Sequence, residues 1–287
     1  MSVKPNECRT TPHASRYGRG SDSHPGNSQN IKTGREFATY DQEYARYGNT
    51  YSIEKWESVF WRRIRDLLHL TPSSRYLDIG AGASAYTVVG GAETAGKVVV
   101  SNVSRIGMGK ARQRAESVLR PSALSKCDFV VCDATALPFK DCSFDAISMI
   151  AVLEHIEQDG VALHEIARIL SQGGRIYLVV PNACRNIQPA LWFPYAIHDM
   201  IVGHFRHYRL SLLAKKVSQA GLLLEKAFYS AHMFKILQFV AAKVWKSSEK
   251  LWWILEELDG RMTGVPFGLQ LHLVAAQRRE ARDRSGR

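Results

Sequence analysis

The chain lacks any apolar run of the roughly 18–20 residues that a membrane-spanning helix requires, which excludes that reading. Its first residues are polar and basic without an apolar segment, so no secretory signal is expected there. Cysteine is scarce: five residues, Cys8, Cys127, Cys132, Cys142 and Cys184, none in a CxxC pair. Such scatter argues against a disulfide framework or a zinc ribbon, and predicts reduced thiols in a cytoplasmic setting with no metal site. Internal repeats are missing too. Acidic residues are in deficit, 27 against 38 Lys and Arg, for a net charge of +11. Residues 1–35 hold six of those cations against Glu7 and Asp22, and residues 277–287 hold five against Glu280 and Asp283, so most of the excess sits in two tails. Solvated basic tails explain the charge without a specific nucleic-acid partner.

What is present reads as an alternation. Residues 1–35 are rich in Ser, Gly, Pro, Asn and Arg, which predicts disorder. From Ser52 to Leu70, Ile53, Trp56, Val59, Phe60, Ile64, Leu67 and Leu68 recur at helical spacing. Apolar strands are predicted at Arg75–Ile79, Lys97–Ser101, Asp128–Cys132, Phe144–Ile150 and Arg175–Val180, with helices over Ile106–Leu119 and Gly160–Leu170 between them. Beyond an irregular aromatic stretch, Ser211–Ala220 reads as a helix and Leu222–Tyr229 as a sixth strand. Residues 230–262 form a long helical insertion, and Leu269–Ala276 a last strand. Near-continuous apolar strands alternating with helices mean a buried, mostly parallel sheet covered on both faces, an α/β doubly wound fold.

The sharpest motif is Tyr76-Leu77-Asp78-Ile79-Gly80-Ala81-Gly82-Ala83-Ser84, a strand ending in glycines before a helix. Doubly wound sheets bind ligands at this edge, and glycine lets the backbone approach them. Gly80-x-Gly82-x-x-Ala85 alone also fits a dinucleotide fingerprint. Asp78 tilts the choice, because a carboxylate there suits an ammonium group and repels a pyrophosphate. Four further motifs follow in order: Asp133-Ala134, Phe144-Asp145-Ala146, Leu153-Glu154-His155-Ile156, and Glu165-Ile166-Ala167-Arg168-Ile169-Leu170 leading to Gly173-Gly174.

Over about residues 55–230 this set resembles the class I, Rossmann-like S-adenosylmethionine (SAM)-dependent methyltransferases, nearest the small-molecule, ubiquinone-biosynthesis-type and natural-product enzymes. The resemblance implies a seven-stranded sheet, SAM as cofactor and S-adenosylhomocysteine as product. It implies that Asp78 and the Gly80, Ala81 and Gly82 backbone hold the methionine moiety. Asn102 stands where the family usually has an acid for the ribose hydroxyls, and Ser84 where a third glycine is common. Asp133 would accept from the adenine amino group, with the Ala134 N–H on a ring nitrogen, and Ala151 and Val152 would lie beside the cofactor. The organisation implied is a helical lid segment over 36–70, a methyltransferase domain over 71–276 with insertions at 183–210 and 230–262, and basic tails outside them.

On the acceptor side, His155 is the candidate base at neutral pH. Its neighbour Glu154 is read as a brace. His204, Arg206, His207 and Arg209 form a second cluster that either lines the acceptor pocket or latches the insertion to the sheet. Tyr40, Tyr44, Tyr47 and Tyr51 mark the lid. Trp245, Trp252 and Trp253 beside four lysines leave three uses open for 230–262: a cap over an apolar acceptor, a homo-oligomer interface, or peripheral contact with a membrane surface. The expected activity is methyl transfer to a small-molecule, natural-product or lipid-like acceptor. The alternatives are a SAM-binding protein with a non-methylating or regulatory role and a nucleic-acid methyltransferase. Against the latter stands Ile150-Ala151-Val152-Leu153, which carries no aromatic–proline clamp for a flipped base.

Overall fold

The structure is a computed structural model, and it describes residues 41–42, 45, 55–82, 85–183, 204–232 and 249–278. The predicted tails, apart from Gln277 and Arg278, lie outside these residues, as do Tyr40, Tyr44, Tyr47, Tyr51 and Ser84 and the middles of both insertions. Described elements run α1 (Lys55–Leu68), β1 (Arg75–Ile79), α2 (Tyr86–Thr94), β2 (Lys97–Asn102), α3 (Arg105–Val118), α4 (Pro121–Leu124) and β3 (Cys127–Val131). They continue with β4 (Phe144–Ile150), a 3-10 turn (Leu153–His155), α5 (Asp159–Ile169), β5 (Leu170–Pro181), α6 (Leu210–Gln219), β6 (Leu222–Ser230), α7 (Glu249–Arg261) and β7 (Gln270–Gln277).

The seven strands form one sheet in the order β3-β2-β1-β4-β5-β7-β6. The β1–β2, β1–β4, β2–β3 and β4–β5 pairs are parallel, and β7 runs antiparallel to β5 and β6. The order in which the strands are added reverses between the parallel β1 and β4, a switch point that leaves a crevice beyond their C-terminal ends. The expected Rossmann-like methyltransferase sheet is thus present.

Two apolar layers sandwich the sheet. One joins Leu77, Ile147, Met149, Leu163, Ile166 and Leu178 with α5 and α6. The other joins Tyr76, Val98, Val100 and Tyr177 with α1, α2 and α3. Strands buried on both faces explain why β1, β2 and β4 read as unbroken apolar runs. In α1, Trp61, Ile64 and Leu68 turn inward at helical spacing, and Trp61 meets Tyr76 edge-on at 5.7 Å between centroids. A Cβ at Gly90 of α2 would collide with the Trp61 ring, so that glycine lets α1 and α2 close together.

Boundaries shift where tertiary contacts override local signals. β5 begins at Leu170 rather than Arg175, passing through Gly173 at φ 74°, with a register irregularity opposite Phe144/Ala146. The described helix of the 230–262 insertion is α7 alone. It is pinned to the end of β6 by Asp259, whose carboxylate accepts from the backbone N–H of Ala231 at 3.0 Å and His232 at 2.7 Å. No described helix is long and apolar enough to cross a membrane. Cys142 is disulfide-bonded, against the expectation of reduced thiols, whereas Cys127 and Cys132 are free.

Candidate cofactor and acceptor site

Three left-handed residues bend the backbone at the crevice: Gly80 (φ 78°), Ala85 (φ 51°) and Ala151 (φ 53°). Such a conformation costs an alanine about 1 kcal/mol, and it concentrates at functional edges. At Gly80 the constraint is double, since a Cβ would also collide with the Val152 side chain. At Gly82 the opposite holds: a Cβ would meet nothing within 4 Å, so the backbone there faces open space. Gly80 and Ala81 both donate to the Ser101 carbonyl, at 2.7 and 3.2 Å, and this seats the loop on β2.

Asp78 lies one residue before the end of β1, behind this loop. It is buried, and its two carboxylate oxygens accept from the hydroxyls of Ser148 and Thr87, each at 2.5 Å. Tyr76 Oη lies 2.6 Å from Ser148 Oγ, which extends the network. Burial pushes the Asp78 carboxyl up to about 6, and the two hydroxyls pull in the other direction. Ser148 and Thr87 were missed in the sequence. The signal available was a lone hydroxyl at Ser148 within an apolar strand.

Asn102 is buried at the end of β2. Its Nδ2 donates to the Ala81 carbonyl at 2.8 Å, and its Oδ1 accepts from the Ser104 N–H at 2.8 Å. The amide thus bridges the glycine loop to the turn after β2. Ser104 then caps α3, accepting from Gly107 N at 2.9 Å and donating to Asp41 Oδ1. Asp41 also accepts from Ile106 N at 3.3 Å. An acid at this helix N-terminus is favoured by the dipole. It brings one described residue of the expected lid segment onto the crevice edge.

Across β3, Asp133 folds an Asx-type turn: its Oδ1 accepts from the Thr135 N–H and hydroxyl, both at 2.8 Å. Ala134 is buried beside it. Arg168 locks the loop that follows, donating to the carbonyls of Phe139 (2.7 Å) and Leu137 (3.0 Å), to Asp141 and to Glu165. Leu137 N donates to Glu165 at 3.0 Å. The Glu165–Arg168 motif therefore acts as a clamp on the β3–β4 connection.

On the far side of β4, Ala151 donates to the Val179 carbonyl at 2.9 Å and the chain enters the 3-10 turn. Glu154 is fully buried, and burial raises its carboxyl to about 8. His155 and His204 approach to 4.8 Å between ring centroids, and His204 and His207 to 5.7 Å. Arg206 ion-pairs with Asp159 at 2.7 Å and donates to the Glu157 carbonyl at 2.7 Å. Buried Asp159 also accepts from Tyr208 Oη and Lys216 Nζ, both at 2.8 Å. Arg206 thus ties the segment after the insertion to the start of α5. The Tyr208–Asp159–Lys216 network was not legible in the sequence. His204 and His207 instead gather beside His155.

Comparisons with known proteins agree with this geometry. Residues 77–178 match the family model described as "Methyltransferase domain". Demethylmenaquinone methyltransferase from Mycolicibacterium vanbaalenii is 34% identical over 118 residues, 41% of this chain and 46% of that one. Probable tRNA methyltransferase 9B from Mus musculus is 32% identical over 128 residues, 43% of this chain and 26% of that protein. The chain thus spans about half the length, 46%, of the quinone-related relative it matches. In fold, geranyl diphosphate C-methyltransferase from Streptomyces coelicolor superposes with a TM-score of 0.57 at 16% identity, covering 83% of this chain and 84% of its own. That structure holds Mg2+, geranyl diphosphate and S-adenosyl-L-homocysteine.

The sheet has the Rossmann-like methyltransferase fold, and residues 77–178 match a methyltransferase domain. In sequence, the chain is similar to demethylmenaquinone methyltransferases over those 118 residues.

Proposed function

We propose that this chain is a SAM-dependent methyltransferase acting on a small, largely apolar acceptor. The observation that carries the reading is the crevice itself: an open glycine-loop backbone at Gly82, set between three left-handed residues and backed by the buried Asp78 carboxyl. These features fit SAM. A narrow backbone cradle takes the methionine end, Asp78 supplies an acid for its ammonium, and Asp133 Oδ2, which has no hydrogen bond among the described residues, is an acceptor for an adenine amino group. When bound, SAM supplies an activated methyl group on a sulfonium.

The protein's own part is placement. Gly80–Gly82 and the Asn102 brace fix one end, and the Arg168 clamp fixes the Asp133 loop. Alignment of donor and acceptor, rather than covalent help, is what such a reaction needs. His155 stands on the same edge as the crevice and is suited to receive a proton from an acceptor hydroxyl. The small-molecule reading is supported by relatives named for demethylmenaquinone and geranyl diphosphate. The mouse relative named for tRNA keeps a nucleic-acid acceptor as the reading to beat.

The test is calorimetric titration with SAM and S-adenosylhomocysteine, with NAD as control, followed by an acceptor screen of quinols, prenyl diphosphates and tRNA. Binding of both sulfur ligands and turnover on a small acceptor are expected. Absence of sulfur-ligand binding refutes the assignment, and turnover on tRNA alone replaces the acceptor class. In active protein, His155→Ala should lower turnover more than SAM affinity.

A further inference from the structure

Glu154 is a buried acid without a visible reason. It is 0% exposed, and neither carboxylate oxygen has a hydrogen-bond partner among the described residues. Buried polar atoms are nearly always satisfied, and an orphaned carboxylate is among the costlier exceptions. What lies beside it is a pair of imidazoles. Each of Glu154, His155 and His204 offers a ligand atom, and these atoms all lie within 4.8 Å of one another.

The gathering is built in. Glu154 and His155 share the 3-10 turn that leaves β4. His204 is 49 positions further on, yet the next residue, Phe205, donates its N–H to the Glu154 carbonyl at 3.0 Å. Tyr208 Oη donates to the Leu153 carbonyl at 3.3 Å, and Arg206 is drawn away to Asp159. Arg206 is thus occupied by Asp159, and the two chain segments are joined at the place where the three side chains meet.

We propose that Glu154, His155 and His204 form a binding site for one divalent transition-metal ion of the zinc, cobalt or ferrous type. Two imidazoles and one carboxylate suit such ions, whereas magnesium and calcium prefer all-oxygen shells. Ligand atoms about 2.1 Å from an ion lie roughly 3.4 Å apart in a tetrahedron, so the side chains need to draw in by about an ångström. Three protein ligands leave a fourth position open to water or to an oxygen of the acceptor. This deepens the methyltransferase reading, because the site sits on the acceptor side of the same crevice edge. There the ion would take over from His155 the task of loosening an acceptor hydroxyl's proton.

The test uses the full chain stripped with chelator and no SAM present. Cobalt(II) is titrated while its visible absorption is followed, and zinc(II) is titrated by calorimetry. The expected result is one equivalent bound, with a tetrahedral or five-coordinate cobalt band. Binding should weaken by at least about tenfold in His204→Ala and in Glu154→Gln, and persist in His164→Ala on the exposed face of α5. Thermal melts check that each variant is folded, and His204→Ala, at a half-buried position, decides the matter if Glu154→Gln is not. Absence of stoichiometric binding to folded wild type, or equal binding in His204→Ala, overturns the proposal. Sulfur-ligand titration of the same stripped protein is a separate readout: its failure sinks the methyltransferase reading and leaves the metal result standing.

Discussion

Acidifying the solution from pH 8 to pH 5 should weaken S-adenosylhomocysteine binding about tenfold, through the ionisation of Asp78. In the free protein this carboxyl is raised by burial from its usual 3.8 to about 6. A ligand ammonium needs the ionised form. At pH 8 nearly all of it is ionised, and at pH 5 roughly one part in eleven, so the apparent affinity falls by that factor. The ligand's own amine and carboxyl do not titrate in this window. Stability moves the other way. A raised carboxyl costs the folded state most above pH 6, and the cost is relieved as pH falls from 6 towards 3.8. This group alone therefore makes the protein more stable in acid while the cofactor binds less well, which separates the effect from general acid unfolding. Thr87→Ala or Ser148→Ala removes a hydroxyl that favours the carboxylate, so the midpoint should move up. Calorimetry at half-unit pH steps checks the wild type against Asp78→Asn, which should bind weakly and show no slope. Equal affinity at pH 8 and pH 5, or the same slope in Asp78→Asn, refutes the reasoning.

Other consequences can be checked on stability and binding. Gly80→Ala combines a left-handed φ with a collision at Val152. It should cost about 2 kcal/mol or more by urea denaturation, with Val152→Ala restoring part of the loss. Asn102→Asp keeps an acceptor for Ser104 N–H but loses the donor to the Ala81 carbonyl and buries a charge. We expect about 1–3 kcal/mol of destabilisation and weaker SAM binding; improved binding would instead make Asn102 a ribose ligand. His272 is enclosed between Tyr177 and Ser230, with ring nitrogens 2.6 Å from each hydroxyl, and burial pushes it down to about 3. Its neutral ring adds stability at neutral pH that is lost progressively as pH falls below about 6.5. Its NMR signal should not titrate between pH 7 and 4.5 while the fold persists, and a midpoint near 6.5 would contradict the burial argument.

Much of this fold was legible because its strands are buried on both faces. Tyr76–Ile79, Val98–Val100 and Ala146–Ile150 have no solvent side to encode, so they appear as apolar runs closed by glycine or polar residues. The glycine loop was legible for a related reason, since few side chains tolerate the backbone at Gly80. Side-chain partnerships across distant segments were not. Nothing near Asn102 in the chain announces that its amide reaches Ala81, and nothing at Glu154 announces Phe205 and His204. Arg206 reads as a free cation until Asp159, buried at the start of α5, is seen opposite it. Such pairings depend on the crossovers, which local periodicity does not specify.

The placement of β7 bears on how the chain is made. β5 and β6 do not touch each other; each bonds to β7, which slides between them from the far end of the sequence. A nascent chain that has emerged as far as β6 thus presents two unsatisfied strand edges, one of them the strongly apolar Ile176–Val180. Completion of the sheet must wait for Gln270–Gln277 to leave the ribosome. A chain stalled with β6 out of the ribosome and β7 still inside should therefore be a protease-sensitive, chaperone-binding species, and release of the full chain should convert that species to a resistant one.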